Sequence, residues 1–245
     1  MQRRNFIKKS GLSGLALTML PSLSFANDND IEYSILELMG KVDIDLYGEG
    51  INLRQEAHDA FLEMKKAAYS DGIDIKIVSS YRSFERQTSI FERKYIRYID
   101  DGMAPLDAID KIIEYSTIPG TSRHHWGTDI DVIDGYPKVE GDVLVPNLFK
   151  NGGPFENFKK WMDENSEKFD FHLVYTDVAK RNGFKYEPWH YSYAPLSVPM
   201  LTQFRSKNLM QILKNEEFEG SSEFTTGFIK NYVRNNILDI NTSLL

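Results

Sequence analysis

Two short stretches of the chain hold the residue types that activate water for hydrolysis. The first runs from Ser116 to Asp134 and reads S-T-I-P-G-T-S-R-H-H-W-G-T-D-I-D-V-I-D, with His124 and Asp131 seven residues apart and Gly127 between them. A glycine at that point lets the backbone turn sharply enough to bring an imidazole and a carboxylate together. The second stretch is Glu187-Pro188-Trp189-His190-Tyr191, where a carboxylate and an imidazole stand three apart. A catalytic zinc ion takes three protein ligands and leaves a position for water, and a nearby carboxylate accepts the water's proton. His124, Asp131 and His190 offer two nitrogens and one oxygen for that purpose, and Glu187 would reach the water from the side without being a ligand. Isolated pairs of this kind arise by chance in most sequences and can be purely structural. The full set is far less expected by chance. The chain has no cysteine, which excludes thiolate zinc sites and a cysteine nucleophile, so any metal must be held by His, Asp or Glu.

The surrounding sequence supplies elements to aim these residues. Ile31 to Met39 has helical apolar spacing, and glycines mark a loop at 46–51. Asn52, with Gln55 three residues on, reads as the N-cap of a helix whose buried face is Ala57, Ala60, Phe61, Met64, Ala67 and Ala68. His58 lies on its solvent side. Ile73 to Ser79 alternates as a half-buried strand and delivers Arg82 at its end, where strand gives way to helix and functional side chains are common. Gln87 falls on the first turns of that helix. Pro105 opens another helix, and Pro119-Gly120 breaks it and hands over to the central loop. In Thr128 to Ile133 the alternation puts Asp129 and Asp131 on one face and Ile130 and Val132 on the other, so both carboxylates are expected to face the metal. A short strand at Val143 to Val145, a helix from Pro154, a strand at Phe171 to Tyr175 and a final strand at Trp189 to Tyr193 follow. Helices at Ser197 to Lys214 and Thr225 to Asn236 read as packing. The fold expected is α+β, with a small antiparallel sheet carrying the site, flanking helices and a C-terminal helical extension over 194–245.

These residues resemble the VanY-like D-alanyl-D-alanine carboxypeptidases, part of a wider zinc peptidase group that includes lysostaphin-type enzymes and the hedgehog signalling domain. The pattern Ser-x-His-x-x-Gly-x-Ala-x-Asp is met by Ser122, His124, Gly127 and Asp131. Glu-x-Trp-His is met by Glu187, Trp189 and His190, and Tyr-Arg-Ser followed four residues later by Gln is met by Tyr81, Arg82, Ser83 and Gln87. The likeness covers Leu46 to Tyr193. It implies zinc on His124, Asp131 and His190, Glu187 as general base and then acid, and Arg82 as oxyanion stabiliser or substrate grip. It further implies that Ser122 and Gln87 hold the substrate, a peptidoglycan stem peptide of the D-Ala-D-Ala type. One departure is Asp129, where the family usually has alanine; it could bind a substrate amine, hydrogen-bond a ligand histidine, or compete with Asp131 for zinc. His125, beside His124, raises a similar question. D,D-carboxypeptidase, L,D-carboxypeptidase, endopeptidase and a zinc-containing peptide-binding module without turnover all stay open, the first being favoured.

Composition agrees with a soluble domain: 245 residues, 41% hydrophobic and 13% aromatic. A single zinc peptidase domain over 27–245, acting as a monomer, is the expectation. Residues 1–26 show a basic start, a mildly apolar middle and the exit Ser24-Phe25-Ala26, as an export signal does. Arg3-Arg4-Asn5-Phe6-Ile7 resembles the twin-arginine signal, the alternative being an ordinary secretory signal. The apolar segment is short of the ~20 residues a spanning helix needs, so no stable membrane anchor is expected. Removing the segment takes away four basic side chains (Arg3, Arg4, Lys8, Lys9) and no acidic one, so the formal charge of −7 becomes −11. Nucleic acid is excluded as a partner on that balance. The destination expected is the periplasm or cell surface. Replacing Arg3 and Arg4 by lysine is expected to block export, read by fractionation; normal export of that variant would point to the general secretory route.

Overall fold

A computed structural model describes residues 32–245. The export signal expected at 1–26 lies outside the described residues. Among those described, four strands form one antiparallel sheet in the order β1 (Ile75–Ser79), β2 (Asp129–Asp134), β4 (His190–Tyr193), β3 (Phe171–Leu173). The alternation read from sequence divides β2 and β4 cleanly. Ile130, Val132, Tyr191 and Tyr193 point into an apolar cluster, while Asp129, Asp131, His190 and Ser192 share the opposite face. Every residue of β2 is buried, so a polar face is closed over as well as an apolar one.

Helix α1 (Ile35–Leu38) precedes α2 (Gln55–Ser70), whose Ala57, Phe61, Met64 and Ala68 pack on the sheet's apolar face. The start of α2 differs from the sequence expectation. Asn52 takes a left-handed φ of 52° instead of capping, because Leu53 first pairs with Tyr47 in a small bridge, and α2 starts after Arg54. Helix α3 (Phe84–Asp100) is capped by Ser83, whose hydroxyl accepts from the Arg86 N–H at 3.2 Å, and α4 (Pro105–Ile112) starts on the expected proline. Helix α5 (Glu156–Asn165) buries Phe158, Trp161 and Met162 against the same core as α2. No strand forms at Val143 to Val145. Asp142 there folds back to accept from the Leu144 N–H at 3.0 Å, a local turn that competes with pairing.

The C-terminal region is helical as expected, but Ser197 to Lys214 is two helices, α6 (Ala194–Ser206) and α7 (Leu209–Lys214). The break is fixed by Asn208, whose side chain accepts from the Gln211 N–H and caps α7. Helix α8 (Thr226–Tyr232) follows. Helices α3, α4, α6, α7 and α8 share a second apolar cluster that includes Phe91, Ile109, Phe204 and Tyr232. The extension also reaches the central loop directly. The Tyr232 hydroxyl accepts from the Ile118 N–H at 3.0 Å and lies 2.8 Å from Thr121 Oγ1, all of it buried. The segment that carries Ser122 and His124 is thus propped from behind by α8. No described helix is long and apolar enough to cross a membrane.

Candidate active site

The register of β2 against β4 sets the site. Asp131 lies opposite His190 and Asp129 opposite Ser192, and directly opposed residues of antiparallel strands project side by side from one face. His124 arrives from a short 3₁₀ turn, Arg123–Trp126, which Ser122 caps by accepting from the His124 N–H at 3.3 Å. Gly127 ends that turn at φ +67°, a left-handed conformation where a side chain would also press on Leu46 and Ile44. One ligand atom from each of His124, Asp131 and His190 then lies within 4.8 Å of the others, and all three residues are buried.

Hydrogen bonds decide which ring nitrogens face inward. His124 Nδ1 sits 2.7 Å from the Ser80 carbonyl oxygen, which can only accept, so Nδ1 carries the proton. Its free Nε2 is 3.3 Å from Asp131 Oδ2. In His190 the arrangement is reversed. Nε2 donates to Asp129 Oδ2 at 2.9 Å, which turns Nδ1 toward the site, 3.0 Å from Glu187 Oε2 and 3.7 Å from Asp131 Oδ1. Asp131 Oδ1 is buried and accepts no hydrogen bond. Two imidazole nitrogens and an orphaned carboxylate oxygen converging in this way fit a divalent metal that favours nitrogen and oxygen donors.

Asp129 does not face that point. Fully buried, it accepts from Arg123 Nε at 2.9 Å, Ser192 Oγ at 2.6 Å and Thr128 Oγ1 at 2.8 Å, besides His190. Of the three roles open to it from sequence, the structure shows the hydrogen bond to a histidine of the cluster. Burial works against its charged form, yet Arg123 and the His190 bond outweigh burial and hold its carboxyl below the ordinary range. Burial alone would push His190 down as well. Its bonds to Asp129 and Glu187, and the nearby Asp131 charge, raise it to about 10 instead. Three carboxylates, those of Asp129, Asp131 and Glu187, are balanced here by the guanidiniums of Arg82 and Arg123 and by the protonated His190, whose Nδ1 proton a bound metal would replace. His125 belongs elsewhere. It donates from Nδ1 to the Arg82 carbonyl at 2.6 Å and accepts the Gly120 N–H on Nε2 at 3.2 Å, and burial drives it down to about 3, so it stays neutral and ties loop to strand end.

Arg82 donates to Ser79 Oγ at 2.9 Å and Gln87 Oε1 at 2.7 Å, and reaches within 4.0 Å of Asp131 Oδ2. Gln87 was expected to hold substrate. It is fully buried, and its amide nitrogen donates to the Thr117 carbonyl at 2.7 Å, so it orients Arg82 and the 116–117 segment. Arg82, Ser122, His124, Asp131, Glu187 and His190 all line one cavity of about 490 Å³. Burial and the Asp131 charge raise the Glu187 carboxyl, against the pull of His190 and Arg82. The partners Ser80, Arg123 and Ser192 were not singled out from sequence. Arg123 adjoins His124, and Ser192 lies one alternation beyond His190, so only the strand register reveals them.

Residues 50–196 match the family model for VanY, D-alanyl-D-alanine carboxypeptidase. The chain belongs to this family. A Haemophilus influenzae protein without an assigned function is 35% identical over 106 residues, 42% of this chain and 81% of that one. The D-alanyl-D-alanine carboxypeptidase of Enterococcus faecalis is 27% identical over 172 residues, covering 69% of this chain and 58% of its own length. Among solved structures, VanYB in complex with D-alanine-D-alanine shares the fold at a TM-score of 0.51 and 23% identity, over 72% of this chain and 92% of that one. In this VanY-family domain Asp129 holds His190 from outside the three-residue cluster. Asp129→Asn keeps the side chain's shape while removing its charge, so zinc affinity, measured by chelator competition on folded protein, is expected to fall about tenfold or more. Unchanged affinity would remove Asp129 from the support of His190.

Proposed function

We propose that the protein is a zinc peptidase that removes the terminal D-alanine from peptidoglycan stem peptides in the periplasm or at the cell surface. The observation that carries this reading is the convergence of His124 Nε2, Asp131 and His190 Nδ1 beside the buried carboxyl of Glu187, in a cavity also lined by Arg82. The name of the enterococcal relative and the ligand of the VanYB structure support the D,D choice of bond.

His124, Asp131 and His190 would hold the metal, which when bound supplies a Lewis acid that polarises a carbonyl and favours ionisation of water. Glu187, shielded from solvent and with its carboxyl raised by burial, is suited to take a proton from the attacking water and return it to the departing amine. Arg82 is held by Ser79 and Gln87 with its guanidinium beside Asp131, where it faces the negative charge that develops on the carbonyl oxygen. Ser122 and the walls of the cavity would seat the peptide.

Glu187→Gln keeps size and removes the base. Release of D-alanine from a stem peptide ending in D-Ala-D-Ala is expected to fall roughly 10²-fold or more, with zinc retained. If the wild-type protein binds that peptide but releases no amino acid, the chain is a binding module; if it releases only an internal fragment, it is an endopeptidase.

A further inference from the structure

Beyond the residues that would act on the peptide bond, the cavity contains a cation without a partner. Helix α3 turns Gln87, Ile90 and Lys94 along one side, the i, i+3, i+7 spacing that keeps residues on one face. Gln87 orients Arg82, while Ile90 and Lys94 line the same cavity as His124 and Glu187. The two arginines lining it each have a carboxylate within 4.0 Å, although Arg123 Nη1 is left without a hydrogen bond. Arg82 approaches Asp131 and is hydrogen-bonded to Ser79 and Gln87, and Arg123 is paired with Asp129. Lys94 has no hydrogen bond and no ion pair among the described residues, although the chain carries 36 acidic residues against 29 lysines and arginines.

Its surroundings make that costly. Lys94 is half-buried. Burial first, and then the charges of Arg82, Arg97 and Arg93, disfavour its ammonium form, with Glu187 opposing them. A lysine at a mere surface position would pair with an acid or extend into water away from three arginines. An anion entering the cavity would relieve both the desolvation and the repulsion. Seven positions of helix, about 10 Å at the helical rise, separate Lys94 from the Gln87 that orients Arg82. The anion therefore belongs to the substrate but not to the bond being cut.

We propose that Lys94 forms a carboxylate-binding subsite of the cavity, selecting peptides that present a free carboxylate at a fixed reach from the scissile bond. This rests on the peptidase reading above and names what its substrate must carry. Two carboxylates of a stem peptide have the right chemistry: the one at its C-terminus and the free α-carboxylate of its γ-linked glutamate. Both are the same kind of partner for an ammonium group, and chemical amidation separates them.

The test measures equilibrium binding to zinc-loaded Glu187→Gln protein, in which turnover is suppressed, with and without Lys94→Met. Three probes are used: a stem peptide ending in D-Ala-D-Ala as the free acid, its C-terminal amide, and its glutamate α-amide. Lys94→Met is expected to raise Kd for the free acid about tenfold, the worth of one charge-assisted hydrogen bond, and Lys94→Arg to keep the affinity. One of the two amides should bind the parent protein as weakly as the free acid binds Lys94→Met, and should be weakened no further by that substitution; which amide it is names the carboxylate. In otherwise wild-type protein, Lys94→Met should raise KM and leave kcat unchanged. Equal weakening of all three peptides would mean that Lys94 serves packing, and no weakening of any would mean that it faces water; either overturns the subsite. D-alanine release by the wild-type protein reports separately on the peptidase reading, since the binding comparison requires no turnover.

Discussion

The buried ion pair of Asp129 and Arg123 is the constraint on which the rest of the site depends. Neither side chain is open to water, and a charge in that position persists only when fully paired and hydrogen-bonded. The pair meets most of this demand, Arg123 Nη1 alone being buried without a hydrogen-bond partner, by joining three segments: Arg123 comes from the 3₁₀ turn, Asp129 from β2, and Ser192 and His190 from β4. Satisfying Asp129 therefore holds the turn that carries His124 at a set distance from the strand pair that carries Asp131 and His190. Removing the Asp129 charge would leave the Arg123 guanidinium buried with no acid beside it, so the arrangement resists drift toward looser geometries.

A second set of contacts does the same for the opposite wall. Backbone carbonyls of Ser80 and Arg82, just beyond β1, receive the Nδ1 protons of His124 and His125. Irregular backbone at the end of an edge strand offers carbonyls that no strand partner claims, and here the two histidines take them. Gln87 then links Arg82 to the 116–117 segment, and Tyr232 supports the same loop from the C-terminal helices. The extension from 194 onward contributes to the loop's position even though its residues line none of the cavity.

Much of this was legible in the sequence because it rests on local periodicity. The alternation in β2 placed Asp129 and Asp131 on one face, and Pro105 marked the start of α4. What the sequence could not show depends on pairing between distant segments. Asp129 and Asp131 are equivalent by alternation, and only the register, Asp131 against His190 and Asp129 against Ser192, separates them. Gln87 reads as a substrate-facing amide until the approach of Thr117 occupies it. Asn52 has the residue type of a cap, but the bridge between Tyr47 and Leu53 claims the backbone first. Arg123 and Ser192 carry no motif of their own; their importance appears once the strands are paired.

The central claim is that partners fixed by the fold, and not ring chemistry alone, determine that His124 offers Nε2 and His190 offers Nδ1. The most direct measurement is a crystal structure of the zinc-loaded protein at a resolution that orients the imidazoles. The expected result is zinc bound by His124 Nε2, His190 Nδ1 and Asp131, with Asp129 still hydrogen-bonded to His190 Nε2. Zinc bound to Asp129, or to His190 through Nε2, would contradict the account.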